Sequence, residues 1–509
     1  MRDRSALEIL SVPAATLKGL SQPAVRDAVS YFRPDGIVVP GPRDVRAFAA
    51  VRDAVQDIPI VCPQLGHDSE GIQHYRYVAG GETGLRETAQ SVPPAEAIDV
   101  LAVQRADVLP RLQSQLESGD RTTGTEGATF LMVPELSVNL NTTALSTTLP
   151  HGDVLGEISA GRAEPLTVLA GGQPADYHHV WSLSFRHTSI DVPIAGLGAS
   201  ERGASKLAQC TCTASGTVAA ETVSGDAFGL RALYGVGERT EERLLDRGCR
   251  TPADVRDLPV EDLGSLSGIG RTTAEKLHAH ADVIASGEPL LLSNKTPVKT
   301  RGNRPPLCLD IETDGLSPTV IWQIGVYDPA ADRHQSFIER EDPTEPSAVL
   351  EAFVTWFLAN HDDRTVLTWN GYGFDYPLLE QFLRRYHPEY VEAWNAVWKY
   401  DLYKWAVRDG NALLPGRTNR LDHVARALGH DGAGTGLTGA QTAAAYQRFM
   451  RAPDDPASEP DWERHERYCE DDCRALWHVY EAIAKAERRD VTDSGTGGAA
   501  GQQSGLTDF

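Results

Sequence analysis

Residues 305–318 read PPLCLDIETDGLSP. An apolar run collects Asp310, Glu312 and Asp314 and then breaks at Gly315 and Pro318. On a β-strand successive side chains point to opposite faces, so Asp310 and Glu312 share one face and Ile311 takes the other. Two readings are open. The stretch is either a strand running out into a turn, or a strand built to hold a metal ion. In a chain this acidic an Asp-x-Glu pair is cheap, and the surrounding order has to decide.

Downstream, TVIWQIGVYD (319–328) and HQSFIERED (334–342) read as strands, and PSAVLEAFVTWFLANH (346–361) has helical periodicity. RTVLTWNGYGFDYPLLEQFLRRY (364–386) reads as strand, loop and helix, with Asp375 at the loop-to-helix junction after Asn370 and Phe374. WERHERYCEDDCRALWHVYEAIAKA (462–486) is a long helix on which Tyr468 and Asp472, four apart, share a face.

Taken together, Asp310-x-Glu312, Asn370-x3-Phe374-Asp375 and Tyr468-x3-Asp472 resemble the three exonuclease motifs of the DEDD superfamily, and Tyr468 points to its tyrosine (DEDDy) branch. The likeness is to YprB-like proteins with a ribonuclease-H-like mixed sheet and flanking helices. It implies a 3′→5′ exonuclease in which Asp310, Glu312, Asp375 and Asp472 hold two Mg²⁺ or Mn²⁺ ions. Glu312 or Tyr468 would orient the attacking water. Asp314 is expected as a turn residue and Asp471 as a solvated neighbour. Trp369 and Phe374, with Asn370, are candidates for contacting terminal bases, core packing being the alternative.

Two earlier segments repeat one pattern: LRALYGVGERTEERLLDRG (230–248) and VEDLGSLSGIGRTTAEKLHAHA (260–281). Each has a short helical stretch, Gly-apolar-Gly, then an amphipathic helix. Gly235/Gly237 and Gly268/Gly270 allow a tight turn that brings backbone N–H groups to a helix N-terminus, where an anion can sit. The pair resembles an all-α tandem helix-hairpin-helix domain, which implies sequence-independent binding to a DNA backbone. The chain ends QSGLTDF, with Gln503, Leu506 and Phe509 at positions 1, 4 and 7. That spacing resembles the sliding-clamp (PCNA) binding peptide, although the second adjacent aromatic of that peptide is absent.

The remaining composition sets the frame. The expected organisation is an α/β domain of unstated role at 1–190, a Gly/Ala/Ser/Thr-rich connector with room for a strand or two at 191–225 and the hairpin pair at 226–287. A basic linker at 288–304 leads to the ribonuclease-H-like domain at 305–488 and a low-complexity tail at 489–509. Lys295, Lys299, Arg301 and Arg304 make the region before Asp310 locally basic. Seven cysteines, odd in number, argue against a disulfide framework and for a reducing cytoplasm. The pairs Cys210/Cys212 and Cys469/Cys473 lack zinc-ribbon spacing and read as ordinary thiols. No stretch approaches the roughly 20 apolar residues of a membrane span, and the start lacks a secretory signal.

The net charge is −23, and only 8 of the 48 basic residues are Lys, a balance similar to that of proteins from extreme halophiles. In molar salt the Debye length falls to about 3 Å, so net charge does not exclude a nucleic-acid partner. DNA, at single-stranded or frayed ends, is the expected partner; the alternatives are an RNA-processing exonuclease of the same fold and a non-catalytic DNA-binding scaffold tethered to the sliding clamp.

Overall fold

The computed structural model describes residues 6–489 except 42, 56–57, 66–70, 79–84, 88–96, 125–126, 139–148, 163, 176, 186–187, 199–205, 298–303, 316–317, 344 and 457. Lys299, Arg301 and the peptide 503–509 therefore fall outside the described residues. Two units result, Met1–Gly229 and Leu230–Phe509. No helix among the described residues is long and apolar enough to cross a membrane.

The first unit is α/β. In one sheet the strands Leu7–Ser11, Gly36–Val38 and Ile60–Val61 run parallel, with Lys206–Cys212 and Val218–Ser224 added antiparallel. In the other, Ala97–Val103, Thr129–Val133, Leu166–Ala170 and Thr188–Gly196 run parallel between antiparallel edges. Residues Ile9, Val38, Val100, Phe130, Leu169 and Ala208 from both sheets meet in one buried cluster. Helices Gln22–Phe32 and Val45–Ala54 cover the outside of the first sheet, while Leu109–Ser118 and Gly152–Ala160 cover the second.

Residues 191–225, expected as a connector with room for a strand or two, are integrated into the first unit's sheets. They contribute part of one parallel strand and two antiparallel strands, and Leu207, Cys210 and Cys212 are fully buried. Small residues suggested a linker, but strand preference is set by packing against neighbours, and here the neighbour is the Leu7–Ser11 strand.

In the second unit, helices Glu238–Asp246, Pro252–Asp257, Val260–Gly264 and Arg271–Ser286 pack around Leu233, Leu244, Leu263 and Leu277. Val236 and Ile269, the apolar centres of the two Gly-x-Gly turns, are buried in that core. His280 ties this helical block to the segment around Leu414 in the same unit. Its Nδ1 accepts the Tyr234 N–H at 2.8 Å, and its Nε2 lies 3.3 Å from the Leu414 carbonyl.

Burial pulls the His280 imidazole down to about 4. The unfolded chain therefore binds a proton between about pH 6.5 and 4 that the folded chain refuses, and stability falls as pH drops through that window. A His280→Gln variant is expected to show a flatter loss of melting temperature between pH 7 and pH 4.5. Identical slopes in parent and variant would rule this out.

The rest includes a small three-stranded sheet and a larger five-stranded one. The strands of the larger sheet are β1 (Leu307–Thr313), β2 (Ile321–Asp328), β3 (Arg333–Ile338), β4 (Val366–Thr368) and β5 (Lys399–Asp401), in the order β3-β2-β1-β4-β5. Helices α1 (Ala348–Asn360) and α2 (Asp375–Tyr386) cover one face, where Leu307, Leu309 and Ile311 of β1 are buried. Helix α3 (Trp462–Lys485) covers the other, against Cys308 of β1 and Tyr327 of β2. Arg364 is almost fully buried and grips Asp328 with two nitrogens, at 2.9 and 3.2 Å. The architecture as a whole is mixed α/β with an all-α insert.

Candidate active site

The period of two in β1 places its side chains. Odd positions face α1 and α2, so Asp310 and Glu312 project toward α3, where Tyr468 and Asp472 lie one helical turn apart. Carboxylate oxygens of Asp310, Glu312 and Asp472 come within 4.8 Å of one another. Glu312 is buried, while Asp310 and Asp472 are half-buried. Asp310 Oδ2 is buried with no hydrogen-bond partner.

Such a group is electrostatically unfavourable by itself. Burial raises the Asp310 carboxyl well above the usual range, and Asp472, Glu312, Cys473 and Asp375 raise it further. Glu312 rises for the same reasons, burial first, then Asp472 and Asp375. Burial also raises Asp472, aided by Asp422 and opposed by a hydrogen bond from Tyr468. Burial, then Asp472, Glu312 and Asp310, push the Tyr468 phenol well above its ordinary value. Tyr468 thus stays protonated and serves as a donor.

Asp375 begins α2 and stands outside the 4.8 Å group. It is buried, and burial lifts its carboxyl to about 7. Its charge still acts on Asp310 and Glu312. The turn that delivers it is held by Asp401 at the end of β5, a residue with no sequence signal. Asp401 is buried and accepts the backbone N–H groups of Asn370 (3.0 Å), Tyr372 (3.1 Å) and Lys404 (2.9 Å). Asn370 adopts a left-handed backbone with φ of 65° in that turn.

The expected base-contacting residues divide. Asn370 is buried, and Trp369 donates its Nε1–H to the Asn419 carbonyl at 2.9 Å and packs its ring against Tyr403. Phe374 packs partly buried against the core under α1 and α2. These three face inward because the loop is anchored from below. Tyr372 on the same loop is 49% exposed, with its ring 5.4 Å from that of Tyr376 and its hydroxyl donating to the Lys399 carbonyl at 2.9 Å, although it belongs to none of the motifs.

Asp314 accepts the Thr319 and Val320 N–H groups at 2.7 and 3.2 Å, a turn role as expected. Asp471 differs from a solvated neighbour, since His430 Nε2 lies 3.0 Å from its Oδ1.

With this geometry in view, the sequence model of the RNase_H superfamily matches residues 307–484. This stretch is an RNase_H superfamily domain. The model of the SAM-like helix-hairpin-helix tandem matches residues 230–282. Among solved structures, the zinc-ion-bound form of an E. coli ExoI–ssDNA complex is 18% identical with a TM-score of 0.20, over 30% of this chain and 41% of that one. E. coli exonuclease I in complex with a 5cy-dA13 oligonucleotide gives 19%, 0.20, 30% and 42%. The chain spans about two fifths of the length of these structures. No curated protein matches the chain.

Within the RNase_H domain the donor set suits a hard divalent cation. The convergent ligands are carboxylate oxygens, and the buried Asp310 Oδ2 has no hydrogen-bond partner among the described residues. Asp422 on the Leu421–Ala427 helix adds a further negative charge that acts on both Asp472 and Tyr468. Helical periodicity gave no hint of it.

The two hairpins of the tandem are not equivalent. Gly235 and Gly268 take φ of 71° and 79°, and Gly237 and Gly270 cap the following helices without a side-chain bond. The first helix opens with Glu238 and Glu241 in its first turn, whereas the second has no acid there and starts at Arg271, whose exposed side chain pairs with Glu275 at 2.9 Å.

Proposed function

We propose that the protein is a metal-dependent 3′→5′ exonuclease acting on DNA, a YprB-like member of the tyrosine branch of the DEDD superfamily. The observation that carries this is the convergence of Asp310, Glu312 and Asp472 from a strand and a helix, with an Asp310 oxygen buried and unpartnered. Like charges gathered so closely make physical sense as a cation cage.

Asp310, Glu312, Asp375 and Asp472 would hold two Mg²⁺ or Mn²⁺ ions. The chemistry such ions supply when bound is neutralisation of charge on the attacking and leaving oxygens of a phosphodiester. The protein's own groups supply the rest. Tyr468, held protonated, donates a hydrogen bond that fixes a carboxylate or a phosphate oxygen. Glu312 or Tyr468 would orient the attacking water. Tyr372 offers the stacking surface for a terminal base, and the Asp401-anchored turn fixes the loop that carries it. Recruitment by the sliding clamp through Gln503, Leu506 and Phe509 belongs to this proposal on the strength of their spacing.

The test is purified protein with matched 5′-labelled DNA and RNA single strands. A ladder shortening from the 3′ end of DNA, dependent on Mg²⁺ or Mn²⁺ and stopped by EDTA, is expected. Faster RNA shortening would reassign the substrate, and no shortening of either strand would leave only a DNA-binding scaffold.

The second hairpin is the better phosphate contact, because Glu238 repels a backbone that Arg271 attracts. Arg271→Ala is expected to weaken DNA binding and to flatten its salt dependence by roughly 0.9 in log–log slope, the loss of one phosphate contact. Arg239→Ala in the first hairpin is expected to do less. Equal effects of the two substitutions would contradict the asymmetry.

A further inference from the structure

Behind the carboxylates, on the face of the sheet that α3 covers, lies a second cluster of different chemistry. His334 on β3 and Cys469 and Cys473 on α3 bring one ligand atom each within 4.8 Å of one another. Both cysteines are fully buried, His334 Nε2 is buried beside Cys473, and Cys473 Sγ–H donates to the Gly325 carbonyl at 3.5 Å.

The three atoms converge on the space above Gly325, in the middle of β2. A Cβ there would collide with Cys469 Sγ and lie 2.8 Å from His334 Nε2 and 3.5 Å from Cys473 Sγ. Glycine inside a buried strand is costly and often marks a close approach by another group. Here the absent side chain leaves a cradle ringed by two thiols and an imidazole.

We infer that His334, Cys469 and Cys473 form a binding site for a soft metal ion of the Zn²⁺ type, distinct from the carboxylate site. Thiolate and imidazole are the ligands such an ion prefers, whereas Mg²⁺ and Mn²⁺ prefer oxygen. Tetrahedral Zn²⁺ sets its ligands at about 2.3 Å for sulfur and 2.0–2.1 Å for nitrogen, so the three atoms need close by only a little. Each Cys gives up its thiol proton on binding, and both protons leave to solvent.

The consequence is mechanical. Cys469 follows Tyr468 and Cys473 follows Asp472 in sequence, so an ion there pins that turn of α3 to β3, over Gly325 of β2. The site holds in place the helix segment that presents Tyr468 and Asp472, and it stands whether or not the nuclease reading does.

The experiment uses the full chain, reduced and freed of metal, titrated with Co²⁺ in excess Mg²⁺. One equivalent is expected to produce thiolate-to-cobalt charge-transfer absorption, which carboxylates cannot give, and one equivalent of Zn²⁺ is expected to abolish it. Cys469→Ser and Cys473→Ser are expected to lose the band. His334→Gln, the milder change, is expected to keep it with affinity weaker by at least about tenfold, the loss that follows removal of even an outer partner. Two results would overturn the assignment: no charge-transfer band in the parent, or an undiminished band in the Cys469→Ser/Cys473→Ser double variant.

Discussion

Asp375→Asn is expected to melt at a higher temperature than the parent in metal-free buffer at pH 8, while hydrolysis falls at least about 10²-fold, the scale of losing one preorganised electrostatic group. The reason lies in the proton. The Asp375 carboxyl is raised to about 7 by burial first, against an ordinary value of 3.8. A raised carboxyl destabilises the folded state progressively as pH climbs from about 4 to about 7, because the folded chain must give up a proton it prefers to keep. At pH 8 that cost is fully present. That cost is at most roughly 4 kcal/mol.

An amide of the same shape removes the charge and its cost together with the cation ligand. Asp310→Asn and Asp472→Asn should behave alike, since burial and their neighbours raise both carboxyls. Thermal melts at pH 8 and a 3′-end hydrolysis assay check the pair of effects. A variant that hydrolyses DNA at the parental rate would remove Asp375 from the cation cage, and a variant that melts lower would refute the charge-repulsion account.

Divalent cations are expected to stabilise the protein, and to do so more at pH 8 than at pH 5. At pH 5 the raised carboxyls hold protons that a cation must displace; at pH 8 they are already anionic and mutually repelling. A ligand at 100 times its dissociation constant contributes about 2.7 kcal/mol. For a unit of this size that is a rise of roughly 5 °C or more. Mg²⁺ titrations followed by thermal melting at the two pH values measure it. The rise should vanish in an Asp310→Asn/Asp472→Asn double variant. An equal rise at pH 5 and pH 8 would mean that the cation acts somewhere other than on these carboxylates.

Much of the second unit was legible because its signals are local. Alternation in LCLDIET fixes which side chains of β1 face α3, and the spacing of Tyr468 and Asp472 puts them on one helical face. The Gly-x-Gly turns announced themselves by the backbone freedom they need, and their apolar centres, Val236 and Ile269, go into the core.

Legibility failed where a side chain's role depends on what lies across the sheet. Trp369 could contact bases or pack in the core; its bond to the Asn419 carbonyl turns it inward, while Tyr372 stays exposed. Leu207, Cys210 and Cys212 looked like linker residues until a neighbouring strand supplied a partner. Asp401 and Asp422 belong to no motif, because each acts on a loop or helix distant in sequence.

By itself, then, the sequence determined the strand that bears Asp310 and Glu312, the helix that bears Tyr468 and Asp472, and the two hairpins, since each rests on a repeat of two or about 3.6 residues or on a glycine turn. Tertiary structure alone decided that Asp375 stands apart from the tight carboxylate group, and that His334, Cys469 and Cys473 converge over Gly325. Strand register and the seating of α3 on the sheet set those distances, and no spacing along the chain encodes them.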